Sequence, residues 1–200
     1  LWLGPAPMKP YHPHRVHQSF RGYWDYDGGG LGDMGQHYLD PTQYILGKDN
    51  ESPMFIEAET GPQDRDAVLP WKRISLRYKD GCEIVLDGEN TDKSPFLVGP
   101  KGTLTKDLES SIPNVIDRVR DLPDPPPQVT DFVKAVKTRE KFALNEVNGH
   151  RSCTLINLAK IAVQTGRPLR FDSKKQRFID DRDANSYISQ PMRGPWKIKV

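Results

Sequence analysis

The sequence predicts an α+β fold: an open, mostly antiparallel β-sheet with helices covering one face. Three observations predict it. Period-2 alternation of apolar and polar residues dominates 54–86 and contains a hairpin signal, so its strands pair antiparallel. The clearest helical periodicity comes late, at 151–165. Strands first and helices after is the order of a sheet covered by its own later helices, not of alternating βαβ units.

The bulk properties agree. A chain of 200 residues with 36% hydrophobic and 28% charged residues suits a single domain, 1–200, with a sizeable core. No run of about 18 apolar residues exists, so no helical membrane span is expected. Lys+Arg is 29 and Asp+Glu is 27, a net charge of +2, which argues against nucleic acid as the main partner. Cys82 and Cys153 are too few for a disulfide framework or a CxxC metal site, and both are expected to be buried thiols. The opening Leu1-Trp2-Leu3-Gly4-Pro5 reads like the middle of a longer protein, so targeting is left open.

Residues 1–24 are rich in proline and aromatics without a clear period, and read as an extended arm. Residues 25–47 hold a glycine loop and a helix-compatible stretch, Leu31 to Leu39. Asp40-Pro41 fits an N-cap followed by proline at the first helical position, restarting a short helix to about Leu46 with Gly47 as its stop. Residues 54–59 alternate Met54, Ile56 and Ala58 against Phe55, Glu57 and Glu59. Residues 73–79 alternate Ile74, Leu76 and Tyr78 against Arg73, Ser75, Arg77 and Lys79. Asp80-Gly81 is a favoured pair for a type I′ turn, returning the chain into 82–86. Two short strands, 96–98 and 103–105, flank Gly99-Pro100-Lys101-Gly102 and continue the meander. The Pro-rich stretch 121–127 is a rigid connector, and a helix starts near Thr130 with Asp131 in its first turn. In 151–165, Leu155, Leu158, Ala159 and Ala162 fall at i, i+3, i+4 and i+7, and Ile156, Ile161 and Val163 widen the stripe, as in a well-buried helix. Gly166 stops it, and a short strand at 169–171 and a polar helix near 182–189 follow.

The densest chemical cluster is Gly28-Gly29-Gly30-Leu31-Gly32-Asp33-Met34-Gly35-Gln36-His37. Asp33 and His37 are four apart and share one face of a helix, with Asp33 expected in its first turn. Glycine inside a helix costs about 1 kcal/mol relative to alanine, so Gly32 and Gly35 imply a packing or functional reason. Spacing alone allows a catalytic Asp–His pair, a structural aspartate with a core-edge histidine, or two of several metal ligands. Gly28-x-Gly30-x-x-Asp33 lacks the third glycine, the preceding strand and the βαβ context of a dinucleotide fingerprint. His12-Pro-His14-Arg15-Val16-His17 crowds three histidines together; a zinc site would need further ligands that are not evident, and the expected role is a loop or edge strand from which a histidine or arginine reaches a polar site. Trp24, with Tyr23 and Tyr26, offers an aromatic face for a sugar ring, but core or interface packing, which needs no ligand, is the favoured account.

Several segments together resemble one family. They are Trp2-Leu3-Gly4-Pro5-Ala6-Pro7, His14-Arg15-Val16-His17, Tyr23-Trp24-Asp25-Tyr26-Asp27-Gly28-Gly29-Gly30 and Gly32-Asp33-Met34-Gly35-Gln36-His37-Tyr38-Leu39-Asp40, followed by Gly99-Pro100-Lys101-Gly102, Gly149-His150-Arg151-Ser152, Gly166-Arg167-Pro168-Leu169 and Met192-Arg193-Gly194-Pro195-Trp196. The family is that of glucose–fructose oxidoreductase, inositol dehydrogenase and the rhizopine-catabolism protein, Gfo/Idh/MocA. The resemblance covers essentially the whole chain and is to the family's C-terminal domain, in the bacterial branch that carries the Gly-Gly-Gly loop.

That resemblance implies an enzyme: the C-terminal substrate-binding domain of an oxidoreductase that takes hydride from a secondary alcohol of a sugar or polyol. It implies His37 as the base and Asp33 as the group that orients it or the substrate hydroxyl, with Arg15, His17 and Trp24 as substrate-binding candidates. It implies NAD or NADP as coenzyme, bound by an N-terminal Rossmann domain that these residues do not include. The chain alone is then expected to be an inactive fragment that binds no coenzyme, with that Rossmann domain as a partner. Relatives pair through the open sheet face, so a homo-oligomer is expected, and relatives of this type carry export signals, so periplasm and cytoplasm both stand. Two other functions fit the same residues: a non-catalytic oligomerisation or binding module, and a keto-sugar lyase or hydratase that uses NAD transiently.

Overall fold

Seventeen residues, Gly29–Ile45, form one continuous helix, α1. The computed structural model describes residues 1–88, 94–124 and 127–198. Two short helices were expected across 31–46, with a break at Asp40-Pro41. Instead α1 runs through Pro41, which costs the helix the N–H that would serve the His37 carbonyl. Asp40 does not cap a new helix, because its carboxylate accepts the Ser152 hydroxyl from a distant element. Gly47, at φ 66°, ends the segment as expected.

The arm before α1 is not extended. It folds into two 3₁₀ turns, Pro13–Arg15 and His17–Gly22. Pro13 has the fixed φ that a first helical position needs, and the His12 ring accepts the His14 N–H at 3.2 Å as a cap.

The predicted strands form: β1 is Phe55–Thr60, β2 is Trp71–Arg77 and β3 is Glu83–Asp87. β1 and β2 pair antiparallel, with Ile56 opposite Leu76 and Ala58 opposite Ile74. Between β2 and β3 the turn is not type I′, because of Asp80 and Gly81 only Gly81 has positive φ, at 88°. The Gly81 N–H donates to the Tyr78 carbonyl and the Tyr78 N–H to the Cys82 carbonyl, which makes a three-residue loop closed by a left-handed glycine. Lys48, from the loop after α1, fastens this turn by donating to Asp80 at 2.6 Å.

The chain divides into two compact units, Leu1–Leu86 with Asn145–Val200, and Asp87–Leu144. In the second unit β4 (Leu97–Gly99) and β5 (Gly102–Leu104) pair with each other as a two-stranded sheet, with a single bridge from Leu104 to Ser110, and among the described residues they do not extend the meander. Helix α2 (Val115–Arg120) was not expected, and α3 (Phe132–Thr138) was. Asp131 is the N-cap of α3, accepting the Lys134 N–H at 2.9 Å, rather than a first-turn residue. Pro125 and Pro126, in the Pro-rich connector expected at 121–127, lie outside the described residues.

Helix α4, Glu146–Thr165, starts a turn and a half earlier than its apolar stripe indicates. Asn145 supplies the start by accepting the N–H groups of Val147 and Asn148. Gly166, left-handed at φ 60°, supplies the stop. Strands β6 (Leu169–Asp172) and β7 (Arg177–Phe178) and the short helix α5 (Arg182–Ser186) complete the first unit.

The sheet order is β3-β2-β1-β6-β7, and β1 pairs antiparallel with β6 through Phe55 opposite Arg170 and Ile56 opposite Leu169. Helix α4 packs on β1 and β2, and α1 packs on α4. Ile56, Ile74, Leu76 and Tyr78 from the sheet meet Leu155, Leu158, Ala159, Ala162 and Val163 from α4 in one buried core. Each large aliphatic side chain so buried contributes about 1.5–3 kcal/mol. The other face of the sheet presents Phe55, Glu57, Ser75 and Arg77. There the guanidinium groups of Arg77 and Arg170 stand 5.3 and 6.0 Å from the Phe55 ring. Cys153 is exposed and Cys82 half-buried, where two buried thiols were expected. Cys153 Sγ lies 3.9 Å from Oε1 of Gln36 on α1.

Candidate active site

Two glycines shape the start of α1 because other groups occupy the space a side chain would need. Gly28 caps the helix in the left-handed region, at φ 88° and ψ 34°. A Cβ there would sit 2.2 Å from Cε of Lys160, which crosses over it from α4. Lys160 Nζ donates to the Asp27 carbonyl at 2.8 Å, so α4 is tied to the turn from which α1 springs. A Cβ on Gly32 would meet that same Asp27 carbonyl oxygen at 1.8 Å. The glycine loop expected upstream of the helix is therefore largely its first turn, and Asp33 falls in the second turn rather than the first.

Asp33 and His37 do share one face of α1, and both are exposed. The Asp33 carboxylate accepts Arg21 Nε at 2.8 Å, from the 3₁₀ turn His17–Gly22. Among the described residues no hydrogen bond joins Asp33 to His37. Met34 and Tyr38 are exposed beside the pair. Behind it the Asp27 carboxyl is pushed up, first by burial and next by the charge of Asp33, against the pull of Lys160 and Arg21. Burial likewise pushes the Lys160 ammonium down. The cluster thus offers a carboxylate, an imidazole and a second carboxyl that takes a proton more readily than an exposed aspartate does.

The other candidates lie elsewhere. Arg15 makes a two-armed pair with Asp66, and its guanidinium stands 4.4 Å from the centre of the Tyr23 ring. That pairing holds the Asp66 carboxyl below the usual carboxylate range. His17 opens the second 3₁₀ turn at φ 55°, exposed, with its ring edge-on to Trp2 at 6.2 Å. Trp24 is buried, and its indole N–H donates to the Asp64 carbonyl at 3.2 Å. Among the described residues no hydrogen bond, ion pair or ring contact joins Arg15, His17 or Trp24 to Asp33 or His37.

Sequence reasoning missed Arg21, Asp27 and Lys160. Lys160 had a signal, since it is the one charge within the apolar run from Leu155 to Val163. Arg21 had none, because its partner is reached only when the arm curls back onto α1. Among the described residues no three His, Cys, Asp or Glu side chains gather into a metal-binding set.

The glycine turn does not fit a dinucleotide. Its open sides at Gly28 and Gly32 are filled by Lys160 and by the Asp27 carbonyl, and no strand of the sheet runs into α1. Compared with known proteins, the chain matches the family model described as the oxidoreductase family C-terminal alpha/beta domain, GFO_IDH_MocA_C2, over residues 1–198, across both compact units. A search of the curated proteins finds no match.

Proposed function

Since the chain belongs to the Gfo/Idh/MocA oxidoreductases as their C-terminal α/β domain, we propose that it supplies the substrate-facing, proton-transferring half of an NAD(P)-dependent enzyme acting on a secondary alcohol of a sugar or polyol. The observation that carries this reading is Asp33 and His37 on one exposed face of α1, with Asp33 held by Arg21.

Oxidising an alcohol requires a base for the hydroxyl proton. A neutral imidazole is suited to that near pH 7, so His37 is the base. Arg21 fixes one oxygen of Asp33, and the other is available to orient the substrate hydroxyl or the imidazole. His17, on the same 3₁₀ turn as Arg21, stays on the substrate side. Arg15 and Trp24, tied to Asp66 and Asp64, frame the turn before α1. The coenzyme is assigned to a separate Rossmann domain. The exposed Met34, Tyr38 and Ile45 of α1 give such a domain an apolar surface to close against. The open sheet face, with Phe55 between two arginines, is assigned to pairing with a second copy.

The test uses the intact enzyme with a substrate found by screening polyols and aldoses for coenzyme reduction. His37→Ala is expected to lower turnover by about 100-fold or more, with coenzyme affinity nearly unchanged. Turnover near the wild-type rate would remove His37 as the base.

A further inference from the structure

Along α4, His150, Cys153, Asn157, Lys160 and Gln164 recur every three or four residues and form one stripe. Together with Trp24 and the segment from β6 to residue 190, this stripe lines a cavity of about 410 Å³. That volume is within the range of small-molecule sites. Its apolar wall includes Trp24, Phe171 and Phe178, all buried, and Phe171 and Phe178 meet edge to face at 5.5 Å. The side chains of Asn157 and Gln164 line it and make no hydrogen bond among the described residues. No aspartate or glutamate lines it.

Lys160 is the lysine of this lining, and the lining holds no arginine. Its ammonium donates one hydrogen bond, to the Asp27 carbonyl, and forms no ion pair among the described residues. Burial pushes its pKa down by more than the nearby Asp27 carboxylate pushes it up, so the charged form is only partly compensated. An anion reaching the cavity would supply that compensation, and a cation would meet none. A lining that combines aromatic rings with amide side chains suits a ring that has a flat face and polar edges.

We propose that this cavity binds a small cyclic carboxylate, with its carboxylate on Lys160, its ring face against Trp24 and Phe171, and its polar edge on Asn157 and Gln164. The site shares Lys160 with the turn before α1 but does not include Asp33 or His37, and it does not depend on the redox reading. Two sources share the chemistry, an aromatic acid and a sugar acid, and the probes separate them.

The experiment is a calorimetric titration of the chain with benzoate, with glucuronate, and with neutral benzamide and glucose. One carboxylate is expected to saturate with a dissociation constant below about 1 mM. Its neutral counterpart should bind about tenfold more weakly or worse, the scale of one charge-assisted hydrogen bond. Lys160→Gln should weaken the carboxylate by a similar factor. Because that change also touches the turn before α1, Asn157→Trp serves as a second variant: residue 157 is exposed, and the added ring fills the cavity, so binding should vanish with the unfolding midpoint unchanged. The proposal fails if neither carboxylate saturates, if a neutral counterpart binds as tightly, or if both variants bind like the wild type.

Discussion

Gly28→Ala, with and without Lys160, tests the idea that α1 and α4 are joined through a space only glycine leaves open. Two costs separate. Alanine in the left-handed region at φ 88° costs roughly 1–2 kcal/mol, offset by about 0.4–1 kcal/mol from the stiffer unfolded chain. The added methyl also lies 2.2 Å from Lys160 Cε, so the lysine must leave and its hydrogen bond to the Asp27 carbonyl is lost. A hydrogen bond from a charged donor is worth about 1.5–3 kcal/mol. Gly28→Ala alone is therefore expected to cost about 2–4 kcal/mol. In a Lys160→Met background, whose unbranched chain can swing aside with no hydrogen bond to lose, it should cost about 1 kcal/mol. Urea unfolding of the four proteins gives the coupling directly. Equal costs in the two backgrounds would refute the reasoning, because the strain would then lie in the backbone alone.

Other outcomes follow from the same contacts. Arg167 pairs with Asp181 through both guanidinium arms and holds its carboxyl at about 2, against an ordinary 3.8. A depressed carboxylate stabilises the fold above its unfolded value, and that stabilisation is lost as pH falls from 3.8 towards 2; Asp181→Asn should therefore show a shallower acid loss of stability than the wild type by thermal unfolding, and parallel curves would count against the pair. Light scattering at about 50 μM should report a dimer or larger, buried by more than about 1,000 Å², and Arg77→Glu with Arg170→Glu should shift it towards monomer; a wild-type monomer would overturn pairing through the sheet. Titration of this chain with NAD or NADP should show no saturable binding tighter than about millimolar, and micromolar binding would show that the glycine turn had been misjudged.

The parts legible in the sequence were those that local periodicity decides. Ile74, Leu76 and Tyr78 point into the core because the strand period is two, and Asp33 and His37 share a face because the helix period is near four. Gly166 and Gly47 end helices for a purely local reason. What stayed hidden depends on partners far along the chain. Asp40 reads as a cap until Ser152 takes its carboxylate, and Pro41 reads as a boundary until α4 packs beside α1. The early start of α4 was masked by Asn148 and Gly149, residues of low helix propensity, and depends on the Asn145 side chain capping Val147 and Asn148 from outside the stripe. Arg21 reaches Asp33 only because the arm curls instead of extending.

The placement of β6 beside β1 bears on the order in which a growing chain can become stable. Phe55 pairs with Arg170, yet everything between β3 and α4 belongs to the other unit. During synthesis β1, β2 and β3 emerge with their apolar side uncovered, and the helix that shields them is completed only at Thr165. The first unit is thus a fold of high contact order, closed late by its own distal segment. Until then β1 offers a bare edge, where a neighbouring nascent chain can add in register. Mutations that weaken α4 or β6 should accordingly act first on yield and aggregation during expression, before any effect on the finished molecule is measured.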